Sequence, residues 1–326
     1  MLATVLIPLT LAAQALAAPT SLRAVWTLDK VESTRLVRVY NDDLSEFHGE
    51  SDGDAVETGN FTKFPLAFDV NEHGHGTISL GNVTYKARHK TAESGGLVCT
   101  KMLNPDFSKV DCLVPGLKGF HPTPLTTSAK RSAVDSVMPH LAMVIPNVPM
   151  LDPQPEEPDV DKRLVNEICS SIGTTVLVGD GNPHQNYLHK QISETINCGG
   201  AATCNAGYTE TQSFAIGFSY TLKLEDWAQF GFSVTQSWTT GNMYNCGGTT
   251  GEDVCIWYNT AHTAITVRNE NYITAGCGIA QALYSEDIIL KSPNEQNRGG
   301  GYYCFVDPCR AKGDGYWDNS GPVGGA

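Results

Sequence analysis

The amino-acid sequence predicts a mainly β protein, an antiparallel sandwich or barrel held together by disulfide bonds. Three observations point there: apolar residues that alternate with small or polar ones, short strand-like runs divided by glycine-rich turns, and ten cysteines in 326 residues. We expect one short helix in the C-terminal part of the chain and a small β-rich domain in the N-terminal part.

Residues 1–18 have the pattern of a secretory signal peptide. Residues 2–16 are almost wholly apolar, are too short to span a bilayer, and are followed by the small residues Ala17 and Ala18. Cleavage at this point leaves a mature chain that begins near Pro19. The sequence therefore predicts a secreted, extracellular protein.

Residues 19–131 are interpreted as an N-terminal pro-domain. Two sequons, one at Asn60 and one at Asn82, predict N-glycosylation in a secreted chain. This part of the chain holds only two cysteines, Cys99 and Cys112. Because their number is even, these cysteines can form a disulfide within the domain.

Residues 132–163 read as a linker. The segment contains six prolines and a strongly acidic run. Proline removes backbone donors and like charges repel, so we expect an extended and accessible chain. A dibasic pair bounds it on each side, Lys130-Arg131 and Lys162-Arg163, and such exposed segments are preferred sites of proteolysis.

This organisation resembles that of kexin-processed secreted precursors of fungi, such as killer toxins and effectors with pro-domains. The resemblance covers the order of segments and no family-specific motif. It implies a kexin-type protease as the processing partner, with Lys130, Arg131, Lys162 and Arg163 as the residues that it recognises. Residues 164–326 would then be the cysteine-rich mature domain.

The charge of the mature domain limits its partners. Residues 164–326 hold 7 basic and 15 acidic residues, a formal net charge of −8. Such a charge disfavours nucleic acid and anionic lipid as binding partners.

Within the mature domain, residues 174–178 predict a first strand. A helix is then expected to begin at Asn182, with Asn as the N-cap and Pro183 in the first turn. Leu188, Ile192 and Ile196 follow at four-residue spacing, before two glycines.

The most regular pattern lies in residues 213–238. Apolar and small or polar residues alternate from Ser213 to Leu224 and again from Phe230 to Trp238, around an acidic pair. This pattern predicts an amphipathic β-hairpin. It is also the only route to a membrane that the sequence suggests.

Shorter strands are expected at 254–258, 263–268, 279–284 and 302–306. Turn-rich sequence between Cys246 and Cys255 predicts a disulfide between them across a hairpin, while Cys304 and Cys309 could pair together or reach elsewhere. The full connectivity stays open. The mature domain contains the cysteines Cys169, Cys198, Cys204, Cys246, Cys255, Cys277, Cys304 and Cys309.

No catalytic, metal or cofactor motif is found in the sequence. His184 and His189 would point apart on the expected helix, and His73 and His75 are interpreted as part of a polar turn. His262 could serve as a base, but no partner can be assigned from the sequence. We therefore expect no catalytic residue, no metal site and no cofactor.

The function expected from this layout is that of a secreted effector or toxin, without catalytic chemistry, acting on a protein or cell-surface target of a host or competitor. One alternative is a pore-former built on the 213–238 hairpin. A second is a cell-wall or glycan-binding protein, with aromatic side chains that stack on sugars. A third is a secreted hydrolase with an unrecognised site. The aromatic residues in question are Tyr302, Tyr303, Tyr316 and Trp317.

Overall fold

The computed structural model describes residues 21–125, 171–209, 213–215, 224–241, 243–273 and 282–326. These residues form a mostly antiparallel β structure with four disulfides, as the sequence predicts, and its sheets do not close into a barrel. The predicted signal peptide, both dibasic pairs, Cys169 and Cys277 lie outside the described residues. Residues 21–125 are called the N-terminal region below, and the described residues from 171 onward the C-terminal region.

The N-terminal region contains nine strands and one short helix, α1 (Thr91–Ser94), among its described residues. The strands are β1 (Leu22–Asp29), β2 (Thr34–Asn41), β3 (Phe47–Asp52), β4 (Ala55–Val56), β5 (Leu66–Val70), β6 (Gly76–Leu80), β7 (Val83–Lys86), β8 (Val98–Leu103) and β9 (Phe107–Val114).

The C-terminal region contains twelve strands and the helix α2 (Leu224–Gln229) among its described residues. The strands are β10 (Ser171–Leu177), β11 (His184–Gln191), β12 (Ile196–Asn197), β13 (Thr203–Tyr208), β14 (Ser213–Ala215), β15 (Ser237–Thr239), β16 (Tyr244–Thr249), β17 (Asp253–Ile273), β18 (Ala282–Tyr284), β19 (Ile288–Pro293), β20 (Gly301–Val306) and β21 (Gly315–Asp318). Short 3₁₀ turns lie at Gly59–Phe61 and Glu295–Asn297.

The largest sheet runs through both regions. Its strands follow the order β21-β11-β17-β20-β8-β9-β1-β2-β3, and β10, β12, β18 and β19 also pair with β17. The two regions meet at the antiparallel pair β8–β20, where Met102 lies opposite Phe305. One continuous sheet therefore joins the two regions.

Strand β17 organises the C-terminal region. It is 21 residues long and pairs along one edge with β12, β11 and β10, and along the other with β20, β19 and β18. Two separate strands were expected here, divided near residues 259–262. The strand continues through these residues because the Asn297 side chain supplies partners for their backbone: it accepts from Ala261 N–H and donates to Asn259 O.

The N-terminal region packs two sheets face to face. Apolar side chains of β1, β2 and β9 meet those of the four-stranded sheet β4-β5-β6-β7 in one buried cluster. Trp26, Val39, Phe68, Ile78 and Val110 are among its members. The alternation of strand residues puts these side chains on one face of each sheet.

The helix predicted to begin at Asn182 is wrong, because His184–Gln191 form strand β11. The four-residue spacing from Leu188 to Ile196 also equals two strand periods, so it fits both structures. Asn182 has a positive φ of 42°, and its N–H donates to the Asp180 carboxylate at 2.9 Å. That geometry makes a turn and no N-cap.

The two ends of the predicted 213–238 hairpin do pair. Strand β14 runs antiparallel to β15, with Phe214 opposite Trp238. Residues 216–223, which were expected to extend the first strand, lie outside the described residues.

The middle of the predicted hairpin differs from expectation. Helix α2 stands where a turn was predicted, and its Trp227 is fully buried in a cluster with Ile265 and Val267 of β17. Residues 230–236 form no strand and only one bridge, from Val234 to Asn294. The free energy gained by burying the Trp227 indole against β17 outweighs the preference for a strand that the alternating pattern indicates.

The described disulfides differ in part from the predicted ones. A bond between Cys246 and Cys255 was expected, and it is wrong because the two side chains belong to core clusters on opposite faces of the sheet. Cys304 and Cys309 reach elsewhere rather than pairing together, and no described cysteine is free. The four bonds are Cys99–Cys112, Cys198–Cys204, Cys246–Cys304 and Cys255–Cys309.

The described helices are short, and none of them is long and apolar enough to cross a membrane.

Candidate functional site

The turn between β16 and β17 places a carboxylate at the junction of the two regions. This residue, Glu252, has only 1% of its side chain exposed. Thr249 fixes its position, since the Thr249 N–H and hydroxyl donate to Oε2 at 2.8 and 2.9 Å. The carboxylate faces the N-terminal region.

Three basic side chains of the N-terminal region converge on Glu252. Lys101 Nζ lies 2.6 Å from Oε1, and Arg88 Nη1 lies 3.0 Å from the same oxygen. His75 Nε2 lies 3.2 Å from Oε2. Lys90 adds a fourth contact with this turn, because its Nζ donates to the Gly251 carbonyl at 2.7 Å. The five residues Glu252, Lys101, Arg88, His75 and Lys90 are called the Glu252 clamp below.

Local structure positions two of the basic residues of the clamp, Lys101 and His75. Lys101 belongs to β8, the strand that pairs with β20. His75 follows a tight turn in which Asn71 Oδ1 accepts the N–H groups of His73 and His75 at 3.0 Å. Gly74 in that turn has φ of +72°, and a Cβ there would lie 2.7 Å from Val110. Only glycine fits this turn against β9.

The charges of the clamp stabilise one another. Burial alone raises the pKa of the Glu252 carboxyl, but the hydrogen bond with His75 and the charge of Lys101 outweigh it and hold this pKa well below its ordinary value of 4.5. Burial lowers the pKa of the Lys101 ammonium, and the nearby Glu252 charge opposes that effect. Glu252 and Lys101 therefore depend on each other, because a buried charge without its opposite partner would lower the stability of the fold.

Apolar contacts extend the junction on both faces of the shared sheet. Leu103 packs in the cluster that contains Ile256 and Tyr258, while Met102 and Phe107 pack on the opposite face. The second cluster contains the rings of Trp257, Tyr303 and Phe305. Two of the core clusters of the C-terminal region are therefore completed by residues of the N-terminal region.

A cleft of about 400 Å³ opens beside the clamp, between the two regions. Most of its exposed wall is apolar, and the polar side chains that line it include His73, His75, Asn104, Asn205, Asn245 and Tyr302. Lys30 also lines it, and its ammonium is held by the Asn104 carbonyl at 2.8 Å. Within the described parts of the chain, no group of three or more His, Cys, Asp or Glu side chains could hold a metal ion.

The histidines considered from sequence lie in different environments. His73 is exposed, with Glu72 3.7 Å away, whereas His75 belongs to the clamp. His184 and His189 lie on a strand rather than a helix: His184 contacts the Asn182 carbonyl at 2.8 Å, and His189 is buried.

Burial keeps two histidines of the C-terminal region neutral. His189 lies 3.0 Å from the Tyr303 hydroxyl and stacks on Tyr316, and burial lowers its pKa to about 3. His262 contacts the Thr260 carbonyl at 2.8 Å, and burial lowers its pKa to about 4. A base needs access to a substrate, and both rings lie 1% exposed in the interior.

The four aromatic residues considered for sugar stacking do not share one exposed face. Tyr302 lines the cleft and packs on Tyr244, with ring centroids 4.4 Å apart. Tyr303 is buried, Tyr316 stacks on His189, and Trp317 is covered by the Lys291 ammonium at 4.3 Å.

The two sequons differ in how their asparagines are engaged. Asn82 is exposed in the turn between β6 and β7. The Asn60 amide donates to the carbonyls of His48 and Thr123 at 3.1 and 2.7 Å. A glycan on Asn60 would replace one of these two amide hydrogens.

Comparisons with protein-family models, with curated proteins and with solved structures give no match for the chain.

Sequence reasoning missed the Glu252 clamp. Glu252 sits in a glycine-rich acidic turn, which reads as solvated surface. The one local signal was Lys101, a charged residue within the otherwise uncharged strand 98–103. A lysine with 3% of its side chain exposed needs an anionic partner.

Proposed function

We propose that the chain is the precursor of a secreted effector or toxin, cut by a kexin-type protease at its dibasic pairs. The mature domain, residues 164–326, carries the activity and acts by binding a protein or cell-surface target of a host or competitor organism. The chain itself supplies no catalytic step.

One observation carries the processing proposal: the pairs Lys130-Arg131 and Lys162-Arg163 lie between the two described regions. The N-terminal region is described as far as Leu125, and the C-terminal region begins with β10 at Ser171. A cut at either pair interrupts no described strand and no described disulfide. The acidic, proline-rich composition of residues 132–163 favours access by a protease.

The mode of action is supported by where the histidines and disulfides lie. His189 and His262 are buried and neutral, which favours a structural role for both. Three described disulfides staple the C-terminal region, as is common in small proteins that must persist outside the cell.

The experiment compares secreted wild-type protein with a variant in which Lys130, Arg131, Lys162 and Arg163 are all replaced by alanine, on living target cells. We expect the wild-type product to impair growth or viability, and the variant to be secreted as a longer chain with reduced effect. Disulfide reduction should abolish the effect of the wild-type product. Equal potency of cut and uncut protein would contradict the proposal.

A pore-forming activity is the second candidate, favoured by the pairing of β14 with β15. A membrane hairpin would be built on the alternation of apolar with small or polar residues in 213–224 and 230–238. One face would then be apolar and the other small and polar, as a membrane-lining hairpin requires. Dye leakage from phosphatidylcholine vesicles after addition of the cut protein tests this, and intact vesicles would reject it.

A further inference from the structure

We infer that the N-terminal region remains bound to the C-terminal region after the connecting segment is cut, so that the processed product is a two-chain, noncovalent complex. The processing itself rests on the function proposed above. The association rests on the junction between the regions and is independent of which protease makes the cut.

The link between the chains must be noncovalent. Residues 1–163 contain only two cysteines, Cys99 and Cys112, and these two are bonded to each other across β8 and β9. No thiol of the N-terminal part is left to bond the C-terminal part. A denaturant without a reducing agent should therefore separate the two chains.

Backbone hydrogen bonding forms the first part of the interface. β20 lies between β17 and β8, so loss of the N-terminal region would leave one edge of β20 without its partner strand. Unpaired strand edges are templates for aggregation. Continued pairing with β8 keeps this edge of β20 covered, and it therefore favours retention of the N-terminal region.

Apolar burial forms the second part. Met102 and Phe107 cover the rings of Trp257, Tyr303 and Phe305 on one face of the shared sheet. Leu103 covers the cluster around Ile256 on the other face. Departure of the N-terminal region would open both clusters to water, which opposes dissociation.

Charge complementarity forms the third part. The Glu252 clamp joins one carboxylate of the acidic C-terminal region to Lys101, Arg88 and His75 of the N-terminal region. Lys90 and Arg88 also donate to backbone carbonyls of the same turn. Buried, hydrogen-bonded charge pairs of this kind slow dissociation and give the interface its specificity.

The test uses the full chain with Lys130-Arg131 changed to Ala-Ala and Lys162-Arg163 replaced by the recognition sequence of a site-specific protease. The purified protein is cut in vitro and passed over a size-exclusion column. We expect both fragments to elute together at the size of the uncut chain, and to run apart on a denaturing, non-reducing gel. Separate elution at micromolar concentration would overturn the inference.

A variant series shows whether the clamp contributes to the association. Glu252→Gln keeps the shape of the side chain but removes its charge, and we expect the Kd of the cut complex to rise by about 30-fold or more. The matched control is Arg35→Ala, which breaks a surface ion pair with Asp54 inside the N-terminal region and should leave the Kd unchanged. If Glu252→Gln does not fold, Lys101→Met tests the same contact from the other side. An unchanged Kd in the clamp variant would remove the clamp from the inference.

This experiment also separates the two proposals. Because the cut is made in vitro, an uncut chain in the producer's medium would refute the processing and leave the association standing. Free fragments after the in vitro cut would refute the association and leave the processing standing.

Discussion

At the scale of single residues, buried charge governs the junction between the two regions. Glu252 has 1% of its side chain exposed and depends on Lys101, which has 3% exposed. The stabilising effect of such a pair shows most clearly when one partner is removed, because the other charge is then left buried without compensation.

Glu252→Gln in the uncut chain should lower the free energy of unfolding by about 3–5 kcal/mol, since Lys101 and Arg88 would lose their counter-charge. The matched control breaks the ion pair of Arg35 and Asp54, whose side chains are 51% and 41% exposed. Arg35→Ala should cost less than about 1 kcal/mol. Urea unfolding of both variants measures the difference, and equal costs would contradict the role given to the clamp.

The buried histidines predict how stability depends on pH. The pKa values of His189 and His262 are lowered by burial from 6.5 to about 3 and about 4, so the folded protein holds both rings neutral. Below pH 6.5 the unfolded chain binds protons that the folded chain does not. Stability therefore falls as the pH drops from about 6.5 towards 4, by roughly 1.4 kcal/mol per pH unit for each histidine.

His262→Phe isolates one of these contributions, because a phenyl ring can keep the edge contact with Trp317. The variant should be less stable at neutral pH, since it loses the hydrogen bond with the Thr260 carbonyl. Its stability should nevertheless decline less steeply between pH 6 and pH 4.5. Urea midpoints across this range give both slopes, and parallel curves for wild type and variant would refute the assignment.

At the scale of elements, the disulfides tie strands that are distant in sequence. Cys246–Cys304 closes a separation of 58 residues, whereas Cys198–Cys204 closes one of 6. In the loop-entropy account of disulfides, the longer loop contributes more to stability, about 4 kcal/mol against about 2 kcal/mol.

Replacing both cysteines of each bond by alanine tests this order. The Cys246→Ala/Cys304→Ala variant should lose more thermal stability than the Cys198→Ala/Cys204→Ala variant. Peptide mapping of the wild type without reduction provides the control, and it should yield Cys246 linked to Cys304. A peptide that links Cys246 to Cys255 would contradict the structure at this point.

The elements also show what local sequence can and cannot predict. The expected strands at 174–178 and 302–306 match β10 and β20 closely. Their runs of β-branched and aromatic residues favour strand over helix. The expected helix became β11, since a four-residue apolar spacing fits two periodicities. Helix α2 could not be foreseen, because the burial of Trp227 depends on β17, some forty residues further along the chain.

At the scale of the whole molecule, the sequence indicates two cysteine groups and a linker, but not how the groups meet. The β8–β20 pairing joins residues about two hundred positions apart, such as Met102 and Phe305, and no local pattern encodes such a contact. The division of the chain that composition suggests stays a prediction, whereas the shared sheet and the Glu252 clamp could not be predicted from composition at all.

The most direct test of the account is the composition of the secreted product. The culture supernatant is fractionated by size exclusion, and the components of the main fraction are weighed by mass spectrometry under denaturing, non-reducing conditions. We predict one native species that separates into two masses: a glycosylated N-terminal chain, and a C-terminal chain beginning at Leu164 with all eight cysteines closed to alkylation. A single mass that corresponds to the uncut chain, with the segment 132–163 still in place, would contradict the account.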